Sequence, residues 1–381
     1  MLNVKYGLWG KNGNLNFKKA MREIVRNISF EAKRIEKRVV FLFLTMSYLL
    51  LTVQNSQSQD LHFSQWYNAP LVTNPANTGF IPDADYRLGA NYRNQWSAVM
   101  TVPYKTFSIW GDAQLFREQI ESGWLGVGGV LLRDVAGSGS LTSTKAYASV
   151  AYHQMIGEAH LLSFGINAGW ANKRINSSAL KFPDQFDGKF FDNSLPTSVL
   201  LDNNQTNYFD MQAGLNYAFF PTDRFYVNGG VSAMHLNRPR ESFFNTDPAG
   251  FDPRISPRYT VFGNASYKMN DMLIINPMAY YSVQAGASEL VLGGNVQYNL
   301  SGDGETQLIG GLHMRVGDAI TPTIGFEWNF IRLMFSYDVT LSSMKQFNNS
   351  RGAYEFAILR HGMYDQFDGN RKQSWCPTFR D

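Results

Sequence analysis

Between Tyr208 and Leu236 side-chain character alternates with a period of two, and this limits what the chain can fold into more than any other feature. Phe209, Met211, Ala213, Leu215, Tyr217 and Phe219 share one parity, while Asp210, Gln212, Gly214 and Asn216 share the other. After a tight turn at Pro221-Thr222-Asp223, Phe225, Val227, Gly229, Val231 and Ala233 resume the apolar parity opposite Asn228, Gly230 and Ser232. A helix would repeat every 3.6 residues; a strand with one apolar and one polar face repeats every two. Each arm is about ten residues, which at ~3.3 Å per residue and ~45° tilt crosses a hydrocarbon band roughly 25 Å tall. Aromatic residues gather near the arm ends, where the interfacial girdles of a membrane barrel lie. The stretch therefore reads as one hairpin of a transmembrane β-barrel.

The same rule recurs along the chain. Ala84, Tyr86, Leu88, Ala90 and Tyr92 oppose Asp85, Arg87, Gly89, Asn91 and Arg93. Two arginines and an aspartate would be out of place in a dry core, and a wet lumen accommodates them. Further strands are predicted at 104–115, 124–133, 142–154, 161–173, 257–269, 272–284, 289–300, 306–315, 319–330, 331–340 and 352–360. With the opening strand and the two arms of the hairpin this makes an all-β, antiparallel barrel of about fourteen strands, and single-chain bacterial barrels have even numbers. If the first strand rises from the periplasm, the even-to-odd connections at 156–159, 221–223, 270–271, 301–305 and 329–330 are all short. The long stretches 176–207, 237–256 and 341–351 all fall on odd-to-even joints, as long outer loops should.

Composition enters at the N-terminus. Residues 1–58 hold ten of the 34 Lys/Arg and three of the 31 Asp/Glu, so the rest carries 24 basic against 28 acidic residues and the net charge of +3 says nothing about nucleic acid. Lys37-Arg38, the apolar run Val39 to Val53 and the small polar Ser56-Gln57-Ser58 follow the order of a secretory signal peptide, with cleavage expected after Ser58. The run is short for a membrane-spanning helix. Four regions follow: an N-terminal extension and signal peptide (1–58), an irregular Asn- and Pro-rich segment in or beneath the barrel (59–83), the barrel (84–360) and a polar tail (361–381). The single cysteine, Cys376, excludes an intrachain disulfide.

No arrangement of residues points to catalysis or to a metal or other cofactor: the six histidines are scattered, and there is no His-x-x-x-His pair or Gly-x-Ser-x-Gly elbow. The chain reads as a non-enzyme. Arg87, Arg93 and Lys173 are assigned to the lumen, either as a constriction or paired with carboxylates such as Asp85 or Glu355. His62 and Gln65 either bind a partner or fasten the N-terminal segment to the lumen wall. His235 to Pro239, with Arg238, lies where a strand meets an outer loop, and Pro239 ends the ladder because it cannot donate; recognition is the other reading. Phe182, Phe186, Phe190, Phe191, Leu195, Val199 and Leu200 make the largest loop too apolar for a solvated linker. It either folds over the mouth or presents a docking surface.

Several ordered motifs resemble the PorP/SprF outer-membrane proteins of the type IX secretion system. Asp60-Leu61-His62-Phe63-Ser64-Gln65-Trp66-Tyr67 with Asn74-Pro75-Ala76 is similar to that family's opening signature, and Tyr92-Arg93-Asn94-Gln95-Trp96 to its first-strand motif. Ser232 to Pro239 with Glu241-Ser242-Phe243 resembles a mid-barrel motif, and Phe335-Ser336-Tyr337-Asp338 and Gly352-Ala353-Tyr354-Glu355 resemble the last strands. The resemblance implies a multi-pass protein of the outer membrane, in contact with its lipid. It also implies partners among the periplasmic ring components and secreted cargo with a C-terminal sorting domain, such as gliding adhesins. Candidate partner-binding residues are then His62, Phe63, Gln65, Asn74, Pro75, Phe186, Phe190, Phe191, His235, Arg238 and Pro239. A passive porin and an envelope-tethering barrel remain the rival readings.

Overall fold

A computed structural model describes residues 61–364 apart from 83, 138, 178–179, 181, 193, 198–202, 246–251 and 302–303. Fourteen antiparallel strands follow one another around a closed cylinder: β1 Tyr86–Gln95, β2 Tyr104–Leu115, β3 Gly123–Ala136, β4 Leu141–Ile156, β5 His160–Arg174, β6 Gln205–Thr222, β7 Phe225–Met234, β8 Arg258–Asn270, β9 Leu273–Gln284, β10 Ala287–Asn299, β11 Thr306–Arg315, β12 Ala319–Trp328, β13 Ile331–Thr340 and β14 Arg351–Gly362. β1 closes the cylinder on β14 over ten register pairs, from Tyr86 with Gly362 to Gln95 with Ala353. Closure leaves no edge strand, so every ladder finds a partner within the wall.

Burial is inverted relative to a water-soluble protein. Leu131, Phe164, Trp170, Ile324 and Trp328 are exposed on the outside, while Ser108, Ser149, Asn167, Asn216 and Thr260 are buried inside. The period-two alternation of the sequence is this inversion, with alternate residues facing lipid and lumen. Among the described residues no helix is long and apolar enough to cross a membrane. The wall is uneven in height: β3 to β6 have 14, 16, 15 and 18 residues, whereas β11, β12 and β13 have 10 each.

The central hairpin differs in detail from its sequence reading. Its turn lies one residue beyond the expected position, because Thr222 still pairs with Phe225 across a register shift after Phe219. Pro221 falls within that irregularity, where its missing N–H removes no ladder bond. β14 also runs two residues past the expected end at 360. The longest connections, 175–204, 235–257 and 341–350, all leave from one rim, and the rim holding 223–224, 271–272 and 329–330 has short ones. By the loop-length rule the first rim is the outer one. The expected signal segment, Val199 and Leu200 of the large loop, and Cys376 in the tail lie outside the described residues.

Candidate functional site, a filled lumen and its outer mouth

The irregular N-terminal segment runs down the inside of the cylinder. Leu61 lies beside Arg258, at the outer start of β8, and Ile81 beside Gln114, near the inner end of β2. Prolines punctuate the segment into short turns, Trp66–Asn68, Pro70–Thr73 and Pro75–Asn77. Proline at the first helical position suits such a turn, since the N–H there has no intrahelical acceptor. The backbone groups that these turns leave open bond instead to the lumen wall.

At its outer end the segment meets charge. Ser64 and Gln65 donate their backbone N–H groups to the two oxygens of Glu355, at 2.8 and 3.0 Å. The Ser64 hydroxyl donates to Asp338 at 2.9 Å and accepts from the guanidiniums of Arg93 and Arg315. Arg93 binds Asp338 at 2.9 Å and Glu355 at 3.3 Å, and Arg315 binds Glu289 at 3.0 Å and Asp338 at 3.3 Å. Arg258 caps the carbonyl of Leu61 at 2.8 Å. Arg93 and Arg315 thus bind Asp338, Glu355 and Glu289 around one serine, with Arg258 beside them on the segment's backbone, all of them buried. Burial of ionic groups is tolerated only when they are paired and hydrogen-bonded in this way. His62 stands 3.9 Å from Glu289. Trp66 completes the outer end apolarly, 5.4 Å from the ring of Tyr280 and 5.8 Å from that of Phe262.

At its inner end the segment meets mostly amides, hydroxyls and bare backbone, with one ion pair, Arg87 with Asp112, reaching the Asn77 carbonyl and the Gly79 N–H. The Asn74 amide donates to the carbonyls of Leu215 and Val231 at 2.9 and 3.3 Å, and its oxygen accepts from the N–H of Ala76 at 2.8 Å. Asn216 donates to Asn77 at 3.1 Å, Ser232 to the Thr73 carbonyl at 2.9 Å, and the Trp124 ring N–H to the Gly79 carbonyl at 2.8 Å. Glycines let the wall come this close. A Cβ at Gly126 would lie 2.0 Å from the Thr78 carbonyl oxygen, one at Gly165 2.4 Å from Pro75, and one at Gly214 1.9 Å from the Asn74 side chain. Gly79 is itself in the left-handed region at φ 69°, and its N–H reaches Asp112 at 2.7 Å.

Above the segment is an outer mouth with a cavity of about 720 Å³, whose lining includes Leu61, His62, Arg93, Trp96, Lys173 and His235. Lys173 pairs with Glu241 from the β7–β8 connection. His235 has φ 57°, which ends β7, and its buried ring binds Asp210 at 2.9 Å, which in turn accepts from Tyr147 at 2.7 Å. Beside the mouth the β5–β6 connection forms a small aromatic hairpin: Phe186 bridges to Phe191 with rings 5.1 Å apart, and Phe190 at its tip is 74% exposed. Among the described residues no group of three His, Cys, Asp or Glu side chains could hold a metal ion.

The predicted residues therefore separate into groups. His62, Arg93, Lys173 and His235 meet at the mouth, and Gln65 lies just below it, hydrogen-bonded to Ser336 and the Glu355 carbonyl. Phe63 is buried in the apolar cluster around Leu71 and Trp110. Asn74 and Pro75 belong to the inner seat, and the side chain of exposed Arg238 binds Asp252 at 3.2 Å, at the outer rim. Arg93 has Glu355 as one expected partner, but Arg87 pairs with Asp112 at 2.8 Å rather than with Asp85. Asp85 accepts instead from the N–H of Tyr364. Asp112 faces Arg87 directly across the β1–β2 register, a relation that requires the strand pairing to be known. Sequence reasoning gave Ser64, Arg315 and Glu289 no role of their own; the polar parity of Ser336 and Asp338 in β13 was the available signal for that side of the cluster.

The family model for the type IX secretion system membrane protein PorP/SprF matches residues 55–359. The chain belongs to the PorP/SprF family. Solved structures similar to this PorP/SprF protein include the toluene transporter TbuX of Ralstonia pickettii, at 12% identity and TM-score 0.46 over 77% of this chain and 94% of that one. The Pseudomonas putida toluene transporter TodX matches at 10% identity and TM-score 0.46 over 81% and 94%, respectively. A Pseudomonas aeruginosa FadL homologue matches at 11% and TM-score 0.43 over 76% and 92%. These likenesses concern the barrel alone. No curated protein sequence matches the chain as a relative.

Proposed function

We propose that this PorP/SprF protein works in the outer membrane without bond chemistry, as a barrel component that type IX secretion needs for the export or surface anchoring of cargo bearing a C-terminal sorting domain, gliding adhesins being the expected class. One observation carries the reading: the lumen is occupied from mouth to base by the chain's own N-terminal segment, held by side chains from both halves of the wall. A barrel filled in this way acts through its surfaces. The mouth with Arg93, Lys173 and His235, and the hairpin carrying Phe186, Phe190 and Phe191, are the surfaces open to cargo. Periplasmic ring components would meet the opposite rim. The porin reading requires an open path past this segment.

Deleting the gene and probing intact cells for the cognate cargo tests the proposal. Loss of surface display is expected. Normal display together with normal gliding refutes it. Steady conductance of the intact protein in planar bilayers would restore the porin reading.

A further inference from the structure

The lipid-facing surface of the barrel is a lattice of rows, and one patch of it departs from the rest. Across β12, β13, β14 and β1 the register sets Trp328 beside Ile331, Ile331 beside Arg360, and Arg360 beside Leu88. On β12 and β13 this is the last lipid-facing row before the short-connection rim; on β14 and β1 one more pair, Gly362 with Tyr86, lies below it. The next row up holds Phe326, Leu333, Ile358 and Ala90, and the one above it Ile324, Phe335, Phe356 and Tyr92. Between these side chains is an apolar trough of about 560 Å³, with Ala90 among its lining residues.

Arg360 is exposed and has the parity of Phe356 and Ile358, so it points at lipid, not at the lumen. Among the described residues it makes no hydrogen bond or ion pair, and its three row neighbours are apolar. A lone guanidinium on this face is costly near the bilayer midplane and nearly free of cost at the interface. There it sits where headgroup phosphates lie, and its forked donors match a phosphate bidentately. Trp328 in the same row is the type of residue that settles at that depth.

We infer that Arg360 and the trough above it form a binding site for an anionic glycerophospholipid of the periplasmic leaflet, the phosphate on Arg360 and one acyl chain lying between Ala90, Leu333, Phe356 and Ile358. A second copy of the chain is the competing occupant. It would bring its own apolar wall, which offers nothing to the arginine; the phospholipid satisfies both parts of the patch.

Native mass spectrometry of the full-length protein, titrated in detergent with phosphatidylglycerol and with phosphatidylcholine, tests this. Wild type should retain phosphatidylglycerol preferentially. Arg360→Gln should lower that retention about fivefold, which is the ~1 kcal/mol of one basic side chain near a charged bilayer surface. Ala90→Phe, which fills the trough without touching the lumen, should lower retention of both lipids. Arg133→Gln, exposed at the other rim, should change nothing, and heat-dependent mobility in gels reports whether each variant is folded. Equal retention by wild type and both test variants overturns the inference. So does a dimer that Arg360→Gln or Ala90→Phe dissociates while lipid retention stays constant.

Discussion

The two ends of the N-terminal segment are held in different ways. The outer end is fastened by charge: Glu355, Asp338, Arg93 and Arg315 converge on Ser64 and on the N–H of Gln65. The inner end is fastened mainly by shape, with Gly126, Gly165 and Gly214 drawn against Thr78, Pro75 and Asn74, and the Arg87–Asp112 pair adds bonds to the Asn77 carbonyl and the Gly79 N–H. An ionic seat is strong while complete and costly once a partner is removed, because the charge left behind is already desolvated. A glycine seat has no such internal liability, but it tolerates no added volume. The segment is therefore most sensitive to deletion of a group at the mouth and to addition of one at the base.

The largest expected effect comes from removing both seats at once. A chain lacking residues 61–82 should give steady conductance in planar bilayers where the intact protein gives none; a silent barrel would mean that wall side chains close the lumen unaided. Glu355→Ala comes next. It takes the acceptor from two N–H groups and a partner from Arg93, and should lower unfolding stability by roughly 3–5 kcal/mol. Limited proteolysis should then cut first near Ser64, whereas first cleavage near Asn74 would reverse the assignment of the two ends. Gly165→Val should cost about 1–3 kcal/mol by overpacking, with cleavage appearing near Pro75 and the outer end still protected. If its cost matched that of Glu355→Ala, the contrast would collapse.

Phe190→Ser supplies a reference point away from both ends, since its side chain is exposed at the hairpin tip. Thermal unfolding should move by no more than about 0.5 kcal/mol, as for an ordinary surface change. The smallest effect concerns the same tip. The Asp187 carboxylate accepts from the N–H groups of Phe190 and Lys189, each at 2.7 Å, and these bonds hold it below the usual carboxylate range. Its contribution is thus complete above the unfolded value and is lost as pH falls through the lowered folded one. The Phe190 amide resonance should titrate with a midpoint below that of an ordinary aspartate; a midpoint at or above it would show the turn unformed.

Much of the architecture was legible because a membrane wall writes its period directly into the sequence. Phe209 to Phe219 alternate for the same reason that Asp210, Gln212 and Asn216 are buried. The lumen cluster was less legible. Arg93 and Glu355 could each be placed on an inward face, but Asp338, Arg315 and Glu289 come from three other strands, and only barrel closure determines which of them meet. The glycine seat was hidden too, since a glycine at a strand position is equally consistent with a bulge, a twist or a close approach. Pro221 misled by one residue because a ladder irregularity absorbed it.

Arg93 and Glu355 are also register partners across the β1–β14 seam. A slip of one residue at that seam would turn Glu355 toward hydrocarbon and Phe356 toward the interior. The N–H groups of Ser64 and Gln65 would then find no carboxylate. The buried segment thus serves as a gauge of correct joining, and a cylinder shut out of step cannot accept its own stopper.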